Sequence, residues 1–128
     1  MSSSTCILLI DDDETIRDLV STVLADEGYR VVAVADARRG LEALCVARPK
    51  LILLDSMTRG HDHASFVVEY RRSPGPYAPI YLFTAAANAE ETAQRLELSG
   101  VLAKPFDIEA LVTLAERHSC EKQQATRT

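Results

Sequence analysis

The chain has 128 residues, 47% of them hydrophobic and 26% charged, which suits one domain with a real core and leaves no room for a second of ordinary size. The formal net charge of −5, with no basic stretch to offset it, argues against broad nucleic-acid binding. No apolar run approaches membrane-spanning length, and Met1 to Thr5 is short and polar with no secretory pattern, so a cytoplasmic, membrane-free protein is expected. Cys6, Cys45 and Cys120 are widely spaced and form no Cys-x-x-Cys pair, which argues against a disulfide or metal framework. Cys6 and Cys45 lie among apolar neighbours and read as small core residues.

Apolar runs alternate with helical patterns along the whole chain. Cys6 to Ile10 is a short continuous apolar run, the mark of a strand buried on both faces. Ile16, Leu19, Val20, Val23 and Leu24 then recur at helical steps, and Gly28 ends that helix. Val31 to Val34 is a second strand. Asp36 can cap the next helix, whose Leu41 and Leu44 face inward and which stops by Pro49. Leu51 to Leu54 is a third buried strand. After a loop with Gly60, Phe66, Val67 and Tyr70 mark a helix closed by Ser73-Pro74-Gly75-Pro76. Ile80 to Phe83 is the fourth strand, Ala89 to Leu98 a weak helix, and Gly100 to Ala103 the fifth strand. Asp107 is placed to cap a last helix with Ile108, Leu111, Val112 and Ala115 inward. The domain is expected over residues 1–118, with 119–128 a polar C-terminal tail.

Repeated strand–helix alternation calls for an α/β fold, a five-stranded parallel sheet with helices on both faces. Ligands of such folds sit beyond the carboxyl ends of the strands. At those ends stand Asp11 and Asp12, then Asp55, then Thr84, then Lys104 followed by Pro105. Three converging carboxylates repel one another and call for a cation. A hard, oxygen-seeking ion such as Mg²⁺ answers that need, and Lys104 adds a second positive charge. A metal ion, a lysine and a hydroxyl together suit a phosphoryl group, with one carboxylate as its acceptor. Taken singly, each residue has a plainer reading. Asp13 and Glu14 suit a helix N-terminus, Asp55 a turn, Thr84 a helix cap and Lys104 a solvated surface. The joint placement favours the phosphoryl site.

From about Cys6 to Glu116 the chain resembles the receiver domain of two-component response regulators. The matching segments are Ile7-Leu8-Leu9-Ile10-Asp11-Asp12-Asp13, Leu51-Ile52-Leu53-Leu54-Asp55, Phe83-Thr84-Ala85 and Lys104-Pro105-Phe106. The resemblance implies the flavodoxin-like strand order 2-1-3-4-5. It implies Asp55 as phosphoacceptor from a phosphohistidine on a sensor histidine kinase or phosphotransfer protein. It also implies Mg²⁺ held by Asp12, Asp55 and the Met57 backbone carbonyl, with Asp11 reaching it through water. Thr84 and Lys104 correspond to the hydroxyl and the lysine that bind the phosphoryl group, and Pro105 to a proline that commonly follows a cis bond.

Three departures from the family pattern stand out. The acceptor loop reads Thr58-Arg59-Gly60-His61-Asp62-His63, with Arg59 where a proline is usual and His63 where a glycine is usual. Its histidines are expected in solvent, outside the site. Val101, three positions before Lys104, replaces the usual aromatic switch residue and is too stiff and short to swing. The stretch from Thr84 to Lys104 is shorter than usual, so a short or mobile fourth helix is expected, with the signal travelling through a different surface or by ordering of this segment. Met57 and Ala86 cannot bond an attacking water well, which implies slow loss of the phosphoryl group.

The expected product is a switched binding surface for an unknown downstream protein, formed by a module that is not an enzyme beyond its own phosphorylation and dephosphorylation. A phosphorylation-independent scaffold is the alternative. A haloacid-dehalogenase-type phosphohydrolase is disfavoured, since it needs an acid at Met57.

Overall fold

A computed structural model describes residues 5–55 and 63–119. Ten elements alternate: β1 (Cys6–Ile10), α1 (Glu14–Asp26), β2 (Arg30–Val34), α2 (Ala37–Ala43), β3 (Leu51–Leu54), α3 (His63–Arg72), β4 (Ile80–Thr84), α4 (Ala89–Arg95), β5 (Gly100–Ala103) and α5 (Ile108–Arg117). The strands form one parallel sheet in the order β2-β1-β3-β4-β5, as the resemblance implies.

β1 and β3 are the central strands and are buried along their whole length. Their side chains alternate between two cores, as the pleat requires. Ile7, Leu9, Leu51 and Leu53 join Phe83 and Leu102 under α1 and α5, which supply Val20, Leu24, Leu111 and Leu114. Leu8, Ile10, Ile52 and Leu54 face the opposite way, onto Ala37 of α2 and Phe66, Val67 and Tyr70 of α3. Burial of each such Leu or Ile stabilises the fold by about 1.5–3 kcal/mol. α2 comes so close to the sheet that a Cβ at Gly40 would stand 2.5 Å from Cδ1 of Ile10. The residue just before the acidic strand end is therefore gripped from the helix side.

Caps set where the helices begin and end. Asp13 accepts from the backbone N–H groups of Thr15 and Ile16 and so starts α1, and Asp36 accepts from Arg39 N to start α2. At the end of α1, Gly28 takes a positive φ of 93°, while Gly28 N and Tyr29 N bond back to Ala25 O and Leu24 O. This is a Schellman closure that glycine fits without strain. α4 closes in the same pattern, with Glu97 N on Gln94 O and Leu98 N on Ala93 O, but Glu97 occupies the left-handed position at φ 58°.

As expected, α4 is short: seven residues, burying only Ala89, Thr92 and Ala93. Such a helix is marginal by itself. Its C-terminal carbonyls are held from outside, because the Arg71 guanidinium of α3 donates to Leu96 O and Glu97 O, each at 2.8 Å. The cation also complements the negative end of the helix dipole.

Several expectations are corrected. Cys6 is buried, and burial pushes its thiol up, but Cys45 is exposed because α2 ends at Ala43 and the chain turns outward there. Leu19 and Ile108, expected inward, are 41% and 52% exposed; each lies at the margin of its helix's apolar stripe. Asp107 sits at the N-cap of α5 without a side-chain capping bond. His63, expected in a loop and in solvent, begins α3 and is half-buried.

At the far end of the sheet, Tyr81 Oη and His118 Nε2 share a hydrogen bond of 3.0 Å, their rings tilted against each other. Burial lowers the His118 pKa below its ordinary 6.5, and neighbouring Arg117 adds to the effect. The folded state then binds the His118 proton less tightly than the unfolded chain. This component of stability is fully present above pH 6.5 and is lost as pH falls from there through the lower folded value. The melting temperature of the parent chain should therefore decline below about pH 6.5, and His118→Gln should flatten that decline. An identical pH profile in the variant would rule the contribution out.

Candidate functional site

Four strand ends build the site: Thr84 closes β4, and the other three are extended one step by the sheet's own hydrogen bonding. Asp11 N donates to Val34 O, Asp55 N to Ile10 O and Lys104 N to Thr84 O. Each polar residue thus leaves the sheet with a fixed backbone, and parallel strands place all of them on one edge.

Asp11, Asp12 and Asp55 come together there: one carboxylate oxygen from each lies within 4.8 Å of the others. Asp11 is 0% exposed and Asp55 3%, whereas Asp12 is open to solvent. Buried carboxylates at such range need compensation. Lys104 supplies part of it, its Nζ lying 2.6 Å from Asp11 Oδ2 and 3.6 Å from Asp55 Oδ2. The ammonium is centred on Asp11 and reaches Asp55 only at ion-pair range. Asp11 Oδ1 is occupied as well, accepting from Asp13 N at 2.9 Å.

Lys104 is held in place by aromatic rings. Its Nζ stands 4.8 Å from the Phe83 ring centroid, a cation–π distance, and Phe106 packs edge-on against Phe83 at 5.2 Å. The Lys104–Pro105 peptide is cis. Thr84 is buried, and its Oγ1 accepts from Ala86 N at 3.2 Å. That is the turn-capping role a threonine plays by itself, performed at the edge of the acidic pocket. Val101 is half-buried on β5 opposite Leu82. Since its neighbour Leu102 faces α1 and α5, Val101 points to the other side of the sheet. Met57, like Thr58 to Asp62 of the acceptor loop, lies outside the described residues, as does Cys120.

The arrangement therefore offers a hard oxygen donor set beside a fixed ammonium, open to solvent on the Asp12 side. It suits a divalent cation together with an anionic group.

Comparison with known proteins agrees with this geometry. Residues 7–116 match the profile of the family described as "Response regulator receiver domain". The chain belongs to that family. Among curated relatives, the transcriptional regulatory protein CseB of Streptomyces avermitilis is 32% identical over 114 residues, covering 88% of this chain and 48% of that protein. The transcriptional regulatory protein QseB of Escherichia coli O157:H7 is 35% identical over 113 residues, covering 87% and 50%. This receiver domain thus spans about half the length of these two relatives. Among solved structures, the chemotaxis response regulator CheY4 of Vibrio cholerae superposes with a TM-score of 0.80 at 30% identity, covering 90% of this chain and 98% of that one. The receiver domain of NtrX from Brucella abortus gives 0.78 at 31% identity, covering 88% and 96%. Receiver domains are phosphoacceptor modules of signal transduction, and membership of that family favours the receiver reading over the phosphohydrolase one. No helix among the described residues is long and apolar enough to cross a membrane.

Two contributors escaped the sequence reading. Phe83 reads as one more apolar strand residue, and only its place just before Thr84 hints that its ring lies under Lys104. Arg17 reads as a polar position of α1, yet its Nη1 donates to the backbone carbonyl of Asp11 at 3.0 Å.

Proposed function

We propose that this receiver accepts a phosphoryl group on Asp55 from a phosphohistidine of a sensor histidine kinase or phosphotransfer protein, in a Mg²⁺-dependent reaction. A carboxylate oxygen of Asp55 forms the new bond to phosphorus as the bond to the histidine nitrogen breaks. The observation that carries this reading is the convergence of Asp11, Asp12 and Asp55 around Lys104.

The donor set fits Mg²⁺. Two oxygens on one octahedral ion at about 2.1 Å stand roughly 3–4.2 Å apart, so a cluster within 4.8 Å needs little closing. Asp12 and Asp55 would hold the ion with the Met57 carbonyl, and Asp11 through water. The bound ion would supply charge neutralisation for the carboxylates and the incoming phosphoryl oxygens.

Lys104 is the residue that must choose. Its present partner is Asp11, and an aspartyl phosphate adds a competing anion on the Asp55 side. Thr84 can follow by donating its hydroxyl hydrogen to a phosphoryl oxygen. These contacts exist in only one conformer, and that difference shifts the population between two states. With valine at 101 and a short α4 tied to α3 by Arg71, the shift is read out through the α3–α4 segment by an unknown downstream protein. Loss of the phosphoryl group is slow. The unit comprises residues 1–118 with 119–128 as a polar tail, and it works in the cytoplasm without direct contact to nucleic acid or membrane.

The test is a beryllium fluoride titration with Mg²⁺, followed by amide NMR. Thr84, Lys104 and the α4 amides should shift in the parent and in Cys45→Ala, and stay in place in Asp55→Asn. Shifts that survive Asp55→Asn, or a parent spectrum that does not respond, would sink the proposal. A pocket with acceptor, lysine and carboxylates in place gives no support to a phosphorylation-independent scaffold.

A further inference from the structure

We propose that Arg17 is a positioning residue for the acidic pocket, its guanidinium holding the Asp11–Asp12 peptide so that the exposed Asp12 carboxylate stays aimed at the cation. The inference rests on the metal-site reading above.

The acidic segment is anchored on both sides of Asp12. Upstream, Asp11 is anchored by its backbone N–H on Val34 O and by its carboxylate on Lys104 and Asp13 N. Downstream, the Asp13 side chain locks the first turn of α1. Asp12 lies between them, exposed, without the core packing that fixes Asp11 and Asp55. The point from which its side chain departs depends on the rotation of the peptide plane joining it to Asp11, and planarity ties that plane to the Asp11 carbonyl. Arg17 holds this carbonyl at 3.0 Å from a half-buried position. The same residue's backbone N–H donates to Asp13 O at 3.0 Å, so the arm that grips the loop stands on the first helical turn. One side chain thus ties the sheet edge to α1 across the residue that carries the solvent-facing carboxylate.

The sign of the effect separates positioning from plain electrostatics. Arg17 is a cation beside a cation site, so through charge alone its removal would strengthen Mg²⁺ binding. If the hydrogen bond is what matters, removal weakens binding, as loss of a group that orients a ligand does, by roughly tenfold.

The experiment is an amide-NMR titration with Mg²⁺ alone on the parent, Arg17→Ala and Arg17→Lys, with thermal melts and amide exchange at Asp12 measured without metal. Expected are Mg²⁺ binding about tenfold weaker in Arg17→Ala, an intermediate loss in Arg17→Lys, which keeps the charge but not the same donor geometry, and faster exchange at Asp12 in both. Unchanged or tighter Mg²⁺ binding in the variants, even with a lower melting temperature, overturns the inference while leaving the metal site standing. If Arg17→Ala does not fold, Arg17→Lys decides alone, and parent-like Mg²⁺ binding in it is likewise an overturning result. A parent chain that shows no Mg²⁺ response overturns the metal-site reading itself.

Discussion

Asp55→Asn is expected to lower phosphoryl uptake from acetyl phosphate and Mg²⁺ by at least about a thousandfold, the scale on which an enzyme loses rate when its nucleophile is removed. The reasoning starts from position. Asp55 is the residue at the end of a central strand, its backbone tied to Ile10 O and its carboxylate almost fully buried beside Lys104. The amide of asparagine has nearly the same shape, so core and sheet register should survive. It lacks the anionic oxygen that attacks phosphorus, however, and it is a poorer metal ligand. Removing one of three neighbouring negative charges also relieves repulsion, so the variant should melt at or above the parent temperature. Intact-protein mass spectrometry reads the outcome directly. Asp12→Asn is the matching control: it weakens the metal site but leaves the acceptor, and should slow uptake without abolishing it. Parent-like uptake in Asp55→Asn would move the acceptor elsewhere and end the assignment.

How much of this was legible in the sequence depends on the length scale of the force involved. The strands at Cys6–Ile10 and Leu51–Leu54 were readable because a parallel sheet covered on both faces demands unbroken apolar runs. The site followed from the strands, since parallel strands bring Asp11, Asp55, Thr84 and Lys104 to one edge whatever lies between them. Helix margins were less legible. Leu19 and Ile108 continue the apolar periodicity of their helices, yet only tertiary packing decides which marginal position is covered. Cys45 failed for a related reason: α2 stops two residues earlier, and a neighbour's hydrophobicity cannot show that the chain has already turned outward. The clamps were invisible altogether. Arg71 reaching the end of α4, and Lys104 lying over Phe83, are contacts between residues far apart in the chain, made by side chains whose types are ordinary at their positions.

Lys104→Met should destabilise the metal-free domain by about 2–4 kcal/mol, and Mg²⁺ should recover part of that loss. Methionine keeps much of the aliphatic stem and its packing against Phe83, so what is removed is chiefly the ammonium. Asp11 would then be a carboxylate with no solvent exposure, accepting from the N–H of Asp13, with two further carboxylates within 4.8 Å. Breaking one side of a fully buried pair costs about 3–5 kcal/mol, and the loss is smaller for this pair because the Lys104 side chain is 19% exposed and water can follow it in. A divalent ion bound by the same carboxylates replaces the missing charge. It binds only the folded state, so it should raise the stability of the variant more than that of the parent. Urea unfolding of both chains, with and without Mg²⁺, gives the four numbers needed. A variant as stable as the parent without metal would show that Lys104 is not what balances the buried acids. Equal Mg²⁺ stabilisation of both chains would show that ammonium and metal do not act on the same charges. The switch should be lost in either metal condition, because phosphorylated Asp55 would have no cation to draw across from Asp11, and the Thr84 and Lys104 contacts that distinguish the two conformers could no longer form together.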